Sequence, residues 1–100
     1  MNNIQSKINK LCYALKIKGY IYLLNREQFY SKKYEKICSS YKLINLMHIK
    51  EYNKLHPEDK KDPDKYEYVK VIVMKSYSKI DILKKLVEIY KQVQVGENNG

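Results

Sequence analysis

The chain has 100 residues, of which 44% are hydrophobic and 31% charged, and its formal net charge is +9. That length holds one soluble domain with a single core, and no stretch approaches the roughly 18 unbroken apolar residues of a membrane span. Residues 1–7 do not follow the pattern of a signal peptide, and two cysteines are too few for a disulfide framework, so we expect a cytoplasmic protein with reduced thiols.

The first predicted element is an amphipathic helix over residues 3–17. Its apolar stripe recurs at helical steps and consists of Ile4, Ile8, Leu11, Cys12 and Leu15. Gly19 follows at the position where a left-handed residue commonly ends a helix.

A run of aromatic, β-branched and apolar residues predicts a strand over residues 20–24. Further β-formers at 28–31 and 37–44 flank the polar residues 32–36, a pattern that predicts a hairpin with a basic tip. A helix through residues 31–40 is the alternative, because apolar residues there also follow helical steps. The hairpin is favoured because Ser39-Ser40-Tyr41 is poor helix material.

In the second half of the chain, the boundaries between the predicted elements are clearer. Residues 48–55 predict a short helix, and 56–65, which contain both prolines and many charges, predict a loop. Residues 66–77 predict a strand with apolar residues on both faces, which favours a central position in the sheet. Ser78 and Asp81 then form a capping-box pattern for a last helix.

Together these elements predict a single α+β domain over residues 1–95, with 96–100 as a flexible tail. The predicted order is α-β-β-β-α-β-α, with a small antiparallel or mixed sheet of about four strands packed against two main helices. Two helices and one sheet leave an apolar face uncovered, so a homodimer is a reasonable expectation.

The sequence offers no recognisable site for catalysis or a cofactor. Three isolated glycines exclude phosphate-cradling loops, and the cysteines and histidines (Cys12, Cys38, His48 and His56) lack the paired spacing of zinc sites. Cys38 with a histidine has the residue types of a thiol nucleophile but no supporting pattern. The carboxylates of residues 58–64 lie in a loop interleaved with lysines. We therefore expect no metal, no cofactor and no enzymatic activity.

The strongest functional feature is a basic and aromatic stretch over residues 26–42. Lysines neutralise phosphates and tyrosines stack on unpaired bases, so this composition suits nucleic acid. The candidate binding residues are Arg26, Tyr30, Lys32, Lys33, Tyr34, Lys36 and Lys42, together with Phe29 and Tyr41. The chain has one arginine, which argues against base-specific reading and for contacts to the phosphate backbone.

The charge distribution points to an acidic partner without identifying its class. Residues 1–54 hold 11 basic and 3 acidic side chains, or +8, whereas residues 55–100 hold 9 and 8, or +1. The abundance of Lys and Tyr also reflects A/T-rich codons, and short basic proteins of this style are typical of bacteriophages and mobile elements. Such proteins often dock on a protein partner, for example to inhibit a nucleic-acid-handling or defence enzyme. We expect protein docking, with sequence-nonspecific nucleic-acid binding by residues 26–42 as the alternative, and no membrane association.

Overall fold

The computed structural model describes residues 3–99, in which three helices and three strands alternate in the order α-β-β-α-β-α. The elements are α1 Asn3–Ile17, β1 Ile21–Ser31, β2 Lys36–His48, α2 Ile49–Leu55, β3 Tyr68–Ser76 and α3 Lys79–Asn99. The α+β class is confirmed, but the predicted strand count of about four is wrong, since the sheet within the described residues has three strands.

The extra strand was predicted because Asn25, Arg26 and Glu27 interrupt the apolar pattern. These residues instead continue β1 without a break and pair with Lys42, Tyr41 and Ser40 of β2. They lie where the β1–β2 hairpin leaves the core, and all three are exposed. A strand there needs no apolar face, so the break in hydrophobicity is not a break in the strand. The hairpin is confirmed, and the alternative helix over residues 31–40 is wrong.

The sheet is antiparallel with the order β1-β2-β3, so β2 is the central strand and β3 is an edge. The prediction that β3 is central was therefore wrong. A register irregularity explains the misleading pattern: Leu43 pairs with Met74, but its neighbour Ile44 pairs with Ile72. The extra residue, Val73, places apolar side chains from both alternating sets against the core.

The core lies between one face of the sheet and the two long helices. Its fully buried side chains are Ile8, Leu15, Leu43, Ile82 and Leu86, which come from α1, β2 and α3. Tyr22 and Leu24 of β1 and Tyr41 of β2 pack against this cluster. Neither α1 nor α3 packs on the opposite face of the sheet, which is called the open face below.

Of the two long helices, α1 ends before a glycine and α3 continues through one. α1 ends before Gly19, which has a φ of 95°, as predicted. α3 continues past Gly96 to Asn99, so residues 96–99 are helical where the sequence predicts a tail, and Gly100 lies outside the described residues. A helical glycine costs only about 1 kcal/mol, and Lys18 Nζ lies 2.6 Å from a Glu97 carboxylate oxygen.

The loop after α2 is fastened by side chains of that short helix. Asn53 donates to the carbonyl of Lys61 at 3.0 Å and accepts from its amide at 2.7 Å. The Tyr52 hydroxyl donates to Asp59 at 2.7 Å. This hydrogen bond, with the nearby Lys61 ammonium, holds the pKa of Asp59 below its usual value.

Candidate nucleic-acid interface

The distal part of the β1–β2 hairpin projects beyond the rest of the fold. β1 pairs with β2 from Ile21–Leu46 out to Ser31–Lys36, whereas β3 pairs with β2 only from Tyr41 inward. Residues 27–40, called the arm below, therefore form a two-stranded ribbon, and no arm residue is buried. The largest dimension of the molecule is 46 Å and the smallest 18 Å.

The tip of the arm is a four-residue turn, 32–35, that carries two of the predicted lysines. The Ser31 hydroxyl accepts a hydrogen bond from the Tyr34 amide at 3.3 Å, and Glu35 has a left-handed φ of 52°. Lys33 Nζ lies 5.4 Å from the centroid of the Tyr34 ring. Lys32 and Lys33 are both exposed, so the turn presents its positive charge to solvent.

Successive residues of the arm alternate between its two faces. Tyr30 and Ile37 are a cross-strand pair in the alternating set of Leu24, which faces the helices. Tyr30 is nevertheless 60% and Ile37 62% exposed. Arg26, in the same set at the base of the arm, donates from Nε to the Ser39 hydroxyl at 3.1 Å. Arg26, Tyr30 and Ile37 are therefore exposed to solvent on the face that the helices cover elsewhere in the sheet.

The other face of the arm continues the open face of the sheet. An open groove of about 670 Å³ along the arm brings together Lys33, Tyr34 and Lys36 of the predicted set. Its other lining residues are Phe29, Ser31, Ile37, Cys38, Ser39 and Tyr77. Two positive charges and three aromatic rings thus converge on one concave surface.

Tyr77 lines this groove but was not among the residues predicted from the sequence. It follows β3 and is 77% exposed, yet its ring centroid lies 6.0 Å from that of Phe29, with the ring planes inclined at 57°. The sequence pattern assigns Tyr77 to one face of a strand with Val69, Val71 and Val73. Its nearness to the arm depends on the register of β3 against β2, for which the sequence carries no local signal.

At the base of the arm the open face carries a like-charged pair and one counter-ion. Lys42 and Lys75 are cross-strand partners, and Lys42 Nζ lies 2.7 Å from a Glu27 carboxylate oxygen. The hydrogen bond from Lys42, its charge and the more distant Lys75 lower the pKa of Glu27. Lys42 is therefore partly neutralised. Tyr41 packs against the core and is only partly exposed.

Further from the arm, the open face is apolar. Leu23, Ile44 and Ile72 are directly paired across the three strands, next to the pair Ile21 and Leu46. Leu23 is 44% exposed and Ile72 is 50% exposed. We call these five residues the apolar patch.

The cysteines and histidines do not come together. Cys38 is on the arm and His48 is at the far end of the same strand, roughly 33 Å away at a strand's rise per residue. Asp59 is engaged by Tyr52 and Lys61. Within residues 3–99, no three His, Cys, Asp or Glu side chains are placed to share a metal ion.

Compared with known proteins, the chain matches no family model, and neither a curated protein nor a solved structure shows significant similarity to it. None of the helices within residues 3–99 is long and apolar enough to cross a membrane.

Proposed function

We propose that this protein is a non-catalytic nucleic-acid-binding protein that uses its arm to bind the phosphate backbone. The observation that supports the proposal best is the exposure of the aromatic residues at the arm's tip. Tyr30 is 60% and Tyr34 62% exposed, so neither ring packs in the core. Lysines 32, 33 and 36 are exposed beside them. This is the combination of backbone charge and stacking surface that unpaired nucleic acid requires.

The chemistry of the arm favours binding without sequence preference. Lysine ammonium groups act as point charges on phosphates and lack the planar fork that reads guanine. The one arginine, Arg26, already donates its Nε hydrogen to Ser39. The protein should therefore discriminate only weakly between bases. Its affinity should depend strongly on salt concentration, because each neutralised phosphate releases counterions.

The test is fluorescence anisotropy with labelled single- and double-stranded DNA and RNA at low salt. The decisive variant changes Lys32, Lys33 and Lys36 together to Glu. These side chains have no role in the core, so we expect the variant to fold and to lose binding. Retention of wild-type affinity by the folded variant would refute the arm as the site.

A matched control separates a local site from the effect of net charge. Lys7, Lys10 and Lys91 are exposed on α1 and α3, away from the arm. Changing these three to Glu also removes six units of charge, which lowers the net charge from +9 to +3. We expect this variant to retain most of the affinity. An equal loss in both variants would indicate nonspecific attraction to the whole molecule.

The apolar patch supports a second candidate function, docking on a protein partner. Leu23 and Ile72 expose apolar surface on the open face of the sheet, a feature of interaction sites. Inhibition of a nucleic-acid-handling enzyme is one form that such docking takes. An interface centred on the patch should resist salt, unlike phosphate binding. Ile72→Glu should abolish the complex with such a partner and leave binding to nucleic acid unchanged.

A further inference from the structure

The groove on the arm contains two rings from distant parts of the chain. Phe29 belongs to β1 and Tyr77 follows β3, and their centroids are 6.0 Å apart. Tyr77 keeps 77% of its surface exposed, and Phe29 keeps 39%. The two rings are therefore in contact while much of their surface stays exposed, and together they form an aromatic surface beside the arm.

Positive side chains lie on both sides of these rings. Lys33 and Lys36 line the groove on the side of the arm's tip. Lys42 and Lys75 border a neighbouring depression that Tyr77 also lines. Because Lys42 is paired with Glu27, Lys75 is the stronger cation on this side. A sugar–phosphate chain that passes over Tyr77 would meet lysines before and after it.

We propose that the Phe29–Tyr77 groove binds an unpaired base of single-stranded nucleic acid, with its flanking phosphates on Lys33, Lys36 and Lys75. This inference rests on the proposed function and adds strand selection to it. Bases in a duplex are stacked on one another and expose only their edges, so an aromatic ring stacks only on a base that is unpaired. The groove therefore makes the protein prefer single strands over duplexes of equal length.

The test uses Tyr77, which lies outside the arm and is too exposed to hold the fold together. Stacking on one ring changes affinity by roughly 5- to 150-fold. Tyr77→Ala should weaken binding of labelled oligothymidylate and oligouridylate by at least about fivefold and leave a duplex probe unaffected. Tyr77→Phe keeps the ring and should bind like the wild type. Tyr13→Ala, which removes an exposed tyrosine from α1, is the matched control.

Cys38 provides a second readout that does not depend on affinity. It lines the groove, so bound oligothymidylate should slow its alkylation by iodoacetamide, measured by mass spectrometry. Cys12 serves as an internal reference, because it lies in α1 and burial raises the pKa of its thiol. Protection should be specific to Cys38, and the Tyr77→Ala variant should lose it at the same oligonucleotide concentration.

The outcomes separate the two proposals. If the wild type binds no nucleic acid at low salt, the proposed function fails and this inference fails with it. If the wild type binds but Tyr77→Ala matches it on single strands, or Cys38 is not protected, the groove is not the base site while the arm's function stands. A preference for single strands that disappears selectively in Tyr77→Ala supports the inference.

Discussion

The arm should be dispensable for folding, and shortening it tests this directly. The variant deletes residues 28–31 and 36–39, so that the natural turn 32–35 directly follows the pair Glu27–Ser40. Each strand loses four residues, an even number, so every remaining side chain keeps its face. In the variant the turn is closed by Glu27–Ser40, which lies four pairs from Ser31–Lys36, the pair that closes the natural turn. Because hydrogen-bonded and non-hydrogen-bonded pairs alternate along the ladder, the two pairs are of the same type.

The expected cost follows from the contacts that the deletion removes. None of the deleted residues is buried, and the Phe29–Tyr77 ring contact joins them to the segment that follows β3. Such pairs contribute about 0.5–1.5 kcal/mol, and the exposed hydrogen bond from Arg26 to Ser39 contributes less. The melting temperature should fall by about 2–12 °C. By contrast, Leu43→Ala in the core should lower the free energy of unfolding by about 2–5 kcal/mol.

Urea and thermal denaturation followed by circular dichroism measure both variants against the wild type. We expect the shortened chain to unfold cooperatively and to remain clearly more stable than Leu43→Ala. If it is unfolded, or loses as much stability as Leu43→Ala, the arm is part of the folding core. The description of the arm as an appendage would then be wrong.

Three further substitutions test local features. Glu27→Gln removes the counter-ion of Lys42 and should tighten nucleic-acid binding about two- to eightfold, measured by anisotropy at fixed salt. The hydrogen bond from Tyr52 lowers the pKa of Asp59. The ionised Asp59 therefore stabilises the fold fully above an aspartate's usual pKa of roughly 3.9, and this stabilisation is lost as the pH falls through the lowered pKa. The difference in urea midpoint between the wild type and Asp59→Asn should therefore be largest near neutral pH and vanish in acid; a constant difference would contradict this. Glu35→Gly relieves a left-handed φ of 52° and should stabilise the fold by roughly 0.5–1 kcal/mol in urea denaturation, whereas Glu35→Gln, which only removes the charge, should not.

The features predicted correctly from sequence are those that local physics decides. The apolar stripe of α1 and the glycine after it give the observed bounds, Asn3–Ile17. The hairpin was predicted because Ser39 and Ser40 are poor helix residues beside β-formers. The exposure of Lys32 and Lys33 then follows from their place in a turn. None of these predictions requires knowledge of the strand order.

The failures share a different cause, since each depends on tertiary context. Asn25, Arg26 and Glu27 look like a strand break only if every part of a strand must cover a core, and these three residues are exposed where β1 leaves it. The pattern of β3 is distorted by Val73, the residue inserted at the register irregularity. Tyr77 lies 48 positions after its ring partner Phe29 and reaches it only because β1 and β3 both pair with β2, a relation that no local pattern encodes.

If lysines on the arm neutralise nucleic-acid phosphates, the affinity must depend on salt concentration, because each neutralised phosphate releases counterions. Anisotropy titrations of a labelled single strand over a range of salt concentrations give the slope of log K against log salt, which is about −0.7 per neutralised phosphate. We expect a steep slope for the wild type. If Lys32, Lys33 and Lys36 each contact one phosphate, removing all three contacts should make the slope shallower by about 2. An affinity that does not change with salt, or an unchanged slope in the folded triple variant, would show that these lysines do not bind phosphates.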